Sequence, residues 1–431
     1  MKRFGSQSKL AGFLAVLISI LLAACVASAQ TERLVYVFTG PNNGDGSGPN
    51  DGLVADSAGN LYLTTSFGGT TDAGTVIELS PPAAPGGKGS ESVLYSFTGS
   101  AGDGDGAYPF GNLVLDSAGN LYGTTFYGGA QSPCISGTVG CGTVFKLSPP
   151  SVHGGSWTES VIYAFQGGND GNGPVAGLVF DQAGNLYGTT FGDGGVVSDG
   201  TVYRLTPQSN GSWSETVLYR FSESDGGQPE SGLILDQAGN LYGTTSAGGS
   251  AGQGTVFELS PTANGLWTET VLHNFLGTDG SSPGFGNLVM DSSRHIAGTT
   301  SAGGQYGGGV VFGLSPSLGG AWSYGRIHSF GGQPSDGSTP EAGLTSGAGR
   351  VLYGTTSQGG SDGCGIVFQV SPPSGNVGWI ETVLYSFQVN PHRVDGCTPE
   401  APVIQYRGAL YGTTSAGGDS AGDGTVFEIH R

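Results

Sequence analysis

Four short strings recur in the same order seven times along the chain, and no other feature limits the fold as much. The first is strand-like: ERLVYVF (32–38), ESVLYSF (91–97), ESVIYAF (159–165), ETVLYRF (215–221), ETVLHNF (269–275), YGRIHSF (324–330) and ETVLYSF (381–387). The second and third are GLVLD-like and LYGTT-like runs joined by a tight SAGN or QAGN turn. The fourth is GTVFEL-like and begins at Gly74, Gly142, Gly200, Gly254, Gly309, Gly365 and Gly424. The LYGTT runs start at Leu61, Leu121, Leu186, Leu241, Ile296, Leu352 and Leu410, so the period is 55 to 65 residues.

Each string is a run rich in Val, Leu, Tyr, Phe and Thr bounded by Gly, Asn, Asp and Ser, which is the signal of a strand. The AGN turn makes the middle pair an antiparallel hairpin. With 84 Gly and 22 Pro in 431 residues, long helices are excluded, while 20 Phe and 17 Tyr exclude a disordered chain. A four-stranded sheet standing alone exposes two apolar faces and two edges. Packing seven of them face to face around an axis predicts an all-β, seven-bladed β-propeller of four-stranded antiparallel blades. The first string stands alone at the N-terminal end, and the last unit, Ala401 to Ile429, has only the other three. Residues 33–38 are therefore expected to complete the seventh blade as its outer strand. A β-solenoid is the competing architecture, but its coils are shorter and lack tight hairpins. The Gly within LYGTT (Gly123, Gly188, Gly243, Gly354, Gly412) is expected to mark close backbone approach.

Residues 1–29 have the form of a signal peptide: Met1, Lys2, Arg3 and Lys9, then the apolar stretch Leu10 to Ala24. Ala27-Ser28-Ala29 suits ordinary cleavage, whereas Leu22-Ala23-Ala24-Cys25 suits a lipobox with Cys25 as lipid anchor. Residues 30–431 then form one propeller domain that is exported to an extracellular, periplasmic or outer-surface location. They contain no apolar run of spanning length. The net charge of −19 opposes nucleic acid as a partner, and a monomer is expected. Four cysteines permit three pairings. Local reach pairs Cys134 with Cys141, leaving Cys364 with Cys397; free thiols and a zinc site are the other readings, and no two of these cysteines have CxxC spacing.

The GLVxDxxGNLYGTT strings, followed by Gly-Gly and GTVFEL, resemble the GloVer tandem repeat across residues 32–431. That resemblance implies an exported, envelope-associated protein whose repeats are usually followed by a sorting anchor. Here the chain ends at Glu428-Ile429-His430-Arg431 without one, so release, or Cys25 as the anchor, is expected. The D-x-x-G-N-L-Y hairpin is also similar to the inner strands of NHL and gluconolactonase-type propellers, which carries over no catalytic residue.

Every loop from the first string to the second contains an Asp-Gly turn and a Pro. The fold places the acids of these turns, Asp45, Asp105, Asp170, Asp225, Asp279, Asp336 and Asp395, in a ring on one face. The ring either recruits cations, calcium among them, or basic partners, or is turn chemistry in which Asp accepts from loop amides. A second Asp (Asp56, Asp116, Asp181, Asp236, Asp291) ends the inner strand as a turn acceptor. His273 and His328 replace a strand Tyr, and no His shows metal-ligand spacing. Phe126, Tyr127, Phe191 and Tyr306 are loop aromatics suited to stacking on sugar rings, or to loop packing. No nucleophile elbow, zinc-protease motif or phosphate loop is present. The reading is a non-catalytic binding or scaffold module for a glycan or envelope protein, without a cofactor. The alternative is a secreted polysaccharide- or lactone-acting enzyme with carboxylates near the channel. That alternative expects one or two blades to break the repeat, as at Gly347, Gln405 and Tyr406.

Overall fold

The computed structural model describes residues 32–41, 44–81, 89–99, 104–129, 134, 140–152, 154–192, 199–317, 319–375, 377–389, 395–418 and 421–430. The signal segment and Cys25 lie outside them. Among the described residues the strands form seven four-stranded antiparallel sheets and two short two-stranded ones, Gly337–Ser338 with Gln358–Gly359 and Gly396–Cys397 with Ala416–Gly417. Blade 4 shows the pattern: inner strand Ile234–Leu235, then Leu241–Thr245, Thr255–Pro261 and outer strand Trp267–Asn274. Blade 7 is assembled from both ends of the chain. Its inner three strands are Ile404–Tyr406, Ala409–Thr414 and Thr425–His430, and its outer strand is Glu32–Val37. Glu32 lies opposite Ile429 and Val37 opposite Thr425, one residue earlier at each end than the string 33–38 implies.

Seven apolar clusters, one per seam, close the ring. Each joins one blade to the next, and one joins Phe38 and Val426 of blade 7 to Leu53, Leu61 and Ile77 of blade 1. In six seams the Phe that ends the first string meets an aromatic ring on the third strand of the next blade. The pairs Phe97–Phe145, Phe165–Tyr203, Phe221–Phe257, Phe275–Phe312, Phe330–Phe368 and Phe387–Phe427 have centroids 4.9 to 5.2 Å apart, all edge to face. Each such pair adds about 0.5–1.5 kcal/mol beyond area burial.

Those rings explain the Gly of LYGTT. A Cβ on Gly243 would stand 2.6 Å from Phe257 Cζ and 3.0 Å from Leu233 Cδ2. The close approach is thus by a cross-strand aromatic side chain, not by backbone as the sequence suggested. Blade 1 confirms the pairing by exchanging both partners, with Leu63 opposite Ile77. The Gly that opens the fourth string has a second role. At Gly254 φ is +90°, and a Cβ there would lie 2.6 Å from the ring of Pro283 in the following loop. The repeated loop Pro is therefore a peg set against the preceding blade. The Thr that ends LYGTT and the Thr that follows this Gly satisfy one another, as in Thr245 Oγ1 to Thr255 Oγ1 at 2.8 Å.

Both expected disulfides are formed, Cys134–Cys141 and Cys364–Cys397. Among the described residues no helix is long and apolar enough to cross a membrane.

Candidate functional site

The seven Asp carboxylates of the loop ring each accept two kinds of bond. One comes from the strand Tyr or His of the first string, and the other from a backbone N–H just beyond its final Phe. Asp225 accepts from Tyr219 Oη at 2.7 Å and Ser222 N at 2.8 Å. Asp45 accepts from Tyr36 and Thr39, Asp105 from Tyr95 and Thr98, and Asp170 from Tyr163 and Gln166. Asp279 meets His273 and accepts from Leu276, Asp336 meets His328 and accepts from Gly331, and Asp395 accepts from Tyr385 and Gln388. Each carboxylate thus latches its loop to the outer strand. Burial first, then the carboxylate, raises the Tyr36, Tyr163 and Tyr219 hydroxyls well above the ordinary phenol range, so they remain donors.

A feature the strings do not reveal lies beside this ring. The Glu that opens the first string comes to rest near an Asp of the ring in a neighbouring unit. Burial, then the Asp charge, pushes Glu159, Glu215 and Glu269 up to about 7. Glu381 is also raised to about 7 by burial, against a lowering by His328. Oε1 of Glu91, Glu159, Glu215, Glu269 and Glu381 is buried without a hydrogen-bond partner. At one seam the three groups His328, Asp336 and Glu381 bring ligand atoms within 4.8 Å of one another, a set able to hold a metal ion. Sequence spacing missed it because Glu381 comes from the next repeat. The other His seam carries Tyr324 at the Glu position, stacked on His273 at 4.4 Å.

The second Asp is a turn acceptor, as expected. Asp236 Oδ1 accepts from Ala238 N and Asn240 N, and its Oδ2 from Asn240 Nδ2 and Tyr242 Oη.

The Asp-Gly loops converge on the axis. Residues of six blades line one cavity of about 160 Å³, including Asn50, Phe110, Val175, Phe285, Glu341 and Glu400. Each of these except Phe285 directly follows the loop Pro; in blade 5 an extra Gly284 intervenes. At this position blades 4, 6 and 7 carry Glu230, Glu341 and Glu400, while blades 2, 3 and 5 carry Phe, Val and Phe. Burial raises all three Glu, and Glu400 is raised further by Glu341. Asp51, buried beside Glu341 and Glu400 in the cavity lining, is lifted to about 6 by burial while accepting from Thr64 Oγ1 and Gly111 N, each at 2.7 Å. Within the cavity, Asp51, Glu341 and Glu400 of blades 1, 6 and 7 therefore form an acidic side, and Phe110 and Val175 of blades 2 and 3 an apolar side.

From the apolar side a chain of rings leads outward. Phe110 meets Phe126 at 6.2 Å, Phe126 meets Tyr127 at 4.4 Å, Tyr127 meets Tyr108 at 5.7 Å, and Tyr108 meets Phe67 at 5.3 Å. Phe67 is exposed. Phe126 and Tyr127, read from sequence as loop aromatics, are the last two residues of the strand Leu121–Tyr127. Phe191 stands apart and half-buried. Tyr306 is exposed and lies over Gly332, bonded to Gln305 Nε2 at 3.0 Å. Phe67, Tyr108 and Phe110 went unremarked in the sequence because they occupy variable positions in two different repeats, Tyr108 and Phe110 within the strand Ala107–Leu115.

The signature of the Gloeobacter/Verrucomicrobia repeat matches residues 25–237, 133–320 and 235–431. No curated protein matches the sequence. Among solved structures, one described as the extracellular domain of a one component system from B. thetaiotaomicron is similar at TM-score 0.51 and 12% identity. The match covers 93% of this chain and 42% of that one. Another, described as an oxidoreductase (glucose dehydrogenase) from Thermus thermophilus, gives TM-score 0.42 and 15% identity over 93% of this chain and 99% of that one. The first shows the propeller fold, and the chain spans less than half of that structure's length.

Proposed function

The chain belongs to the Gloeobacter/Verrucomicrobia repeat family, and from that premise we propose that it is an exported, non-catalytic glycan-binding module working through its loop face. One observation carries the reading: the five-ring arc from Phe67 to Phe110, which ends at the half-acidic mouth of the channel. Aromatic rings in a row offer faces to successive sugar rings, and nearby carboxylates accept from hydroxyls. The ring of Asp, being engaged in latches, serves to hold the loops that present the arc. Export is supported by the two disulfides, which suit an oxidising compartment, and by the signal-like residues 1–29. Mass spectrometry of the mature N-terminus distinguishes cleavage after Ala29 from a lipidated Cys25. A glycan array on residues 30–431 tests binding. A bound glycan whose signal falls at least tenfold in Phe110→Ala and Tyr127→Ala supports the reading. Silence on every glycan, or capture of protein ligands alone, refutes it.

The Glu341 and Glu400 pair, both raised by burial, favours a second reading as a polysaccharide- or lactone-acting enzyme. Turnover on a substrate panel that disappears in Glu341→Gln or Glu400→Gln would decide for it.

A further inference from the structure

On the face opposite the Asp-Gly loops, the seam between blades 5 and 6 has lost a whole row of side chains. In blade 4 the row across the sheet reads Tyr242, Glu258, Thr270, each opposite the next in register. In blade 5 the same row reads Ala297, Gly313, Gly325. Elsewhere the Tyr of this row packs against the Trp that precedes the next blade's first string. The pairs Tyr62–Trp157, Tyr122–Trp213, Tyr187–Trp267 and Tyr242–Trp322 lie 6.2 to 6.4 Å apart. Blade 6 keeps the corresponding Trp379, but blade 5 offers it no ring.

The space so opened is a cavity of about 390 Å³, more than twice that at the channel mouth, and it falls within the range of about 300–1,000 Å³ typical of small-ligand sites. Its apolar wall includes Ile327, Met290 and Trp379. Its polar rim is Asp291, His295 and Arg350. Arg350 Nε lies 3.5 Å from Asp291 Oδ2, and His295 Nδ1 lies 2.9 Å from the same oxygen. The neighbouring seam shows what a filled version looks like. There Arg294, from the equivalent turn, lies over both Tyr242 and Trp322 and pairs with Glu258.

We propose that this seam is a second binding site, which takes a single neutral pyranose ring. The ring fills the place of the missing tyrosine beside Trp379, with its C–H face on the indole. Arg350 donates to its hydroxyls, and Asp291 accepts from them. A neutral ring is specified because the guanidinium already has the Asp291 carboxylate as its counter-charge, and a mixed donor and acceptor rim matches hydroxyl groups, which are both. The inference shares only its ligand class with the loop-face reading. Two saccharide sites on opposite faces make the disc a cross-linker of glycan chains.

The test is a titration of residues 30–431 with methyl glycosides of glucose, galactose, mannose and xylose, followed by tryptophan fluorescence and saturation-transfer NMR. At least one glycoside is expected to saturate the wild-type protein. Its affinity should fall at least tenfold in Ala297→Tyr, which restores the ring found in the other six blades, and in Gly313→Glu, which restores the residue of blades 1, 4 and 7. Because both substitutions reinstate what the repeat itself tolerates, both variants are expected to fold, with Ala297→Tyr melting higher than wild type. No saturation by any glycoside overturns the proposal, as does equal binding in wild type and Ala297→Tyr. A signal lost in Phe110→Ala and kept in Ala297→Tyr places the sugar on the loop face alone. That result overturns this inference while leaving the loop-face reading intact.

Discussion

Exchanging Gly243 and Phe257 for the pair used in blade 1 tests how the blades are packed. Leu63 and Ile77 occupy the same cross-strand register as Gly243 and Phe257, and all three side chains are fully buried. In Gly243→Leu alone, the new Cβ would already be 2.6 Å from the Phe257 ring before the rest of the side chain is added. Such overpacking costs about 1–3 kcal/mol. In Phe257→Ile alone, the edge-to-face contact with Phe221 at 4.9 Å is lost and part of a buried ring becomes void, roughly 2 kcal/mol against the ~3–5 kcal/mol of complete truncation. Independent effects would sum to about 4 kcal/mol, whereas the steric account expects the double variant to lose about 1–2 kcal/mol, a coupling of roughly 2–3 kcal/mol. At about 2.1 cal/mol/K per residue over ~400 residues, 1 kcal/mol corresponds to roughly 1 °C in Tm. Calorimetry on the four proteins should therefore place the double variant above the worse single one. Additivity within about 0.5 kcal/mol would refute the claim that Gly is there to admit the ring.

Three further outcomes follow from the structure. Glu159, Glu215, Glu269 and Glu381 hold their protons more tightly folded than unfolded, so the stability they contribute is complete below about pH 4.5 and declines as pH rises through about 7. Thermal melts from pH 5 to 8 should show this fall and show it reduced in Glu269→Gln, and an unchanged slope would refute it. Removing residues 32–38 leaves the strand Thr425–His430 with an unpaired edge and takes the fully buried Phe38 from its seam; size-exclusion chromatography should report aggregation or a larger species than the wild-type protein gives. Reducing Cys364–Cys397, separated by 33 residues, should cost about 2–4 kcal/mol in guanidinium unfolding, with no effect expected if the two loops were held by packing alone.

The architecture was legible because every strand is written seven times, so that strand order, hairpins and the pairing of 32–37 with 425–430 all follow from one aligned pattern. The two cysteine pairings were legible from reach. Sequence reading failed where meaning lies between strands. The Gly of LYGTT was correctly tied to a close approach, yet the approaching group, Phe257 in blade 4, sits on another strand. Phe126 and Tyr127 were visible as aromatics, but the arc needs Phe67, Tyr108 and Phe110, which no periodicity links to them. The departure expected at Gly347 does line the cavity of the blade 5–6 seam, but the row that opens it is Ala297, Gly313 and Gly325. Those three lie far apart in the chain and line up only across a sheet.

The side-by-side run of residues 32–37 and 425–430 makes the point of entry into the fold arbitrary. Neighbouring strands are about 4.8 Å apart, so a short linker could fuse the present ends, and fresh ones could be opened at the exposed turn of Asn210 and Gly211. Such a circular permutant would carry its junction in blade 3, keep every contact between blades, and let a display tag or fusion partner leave the molecule at whichever of the seven positions suits its cargo.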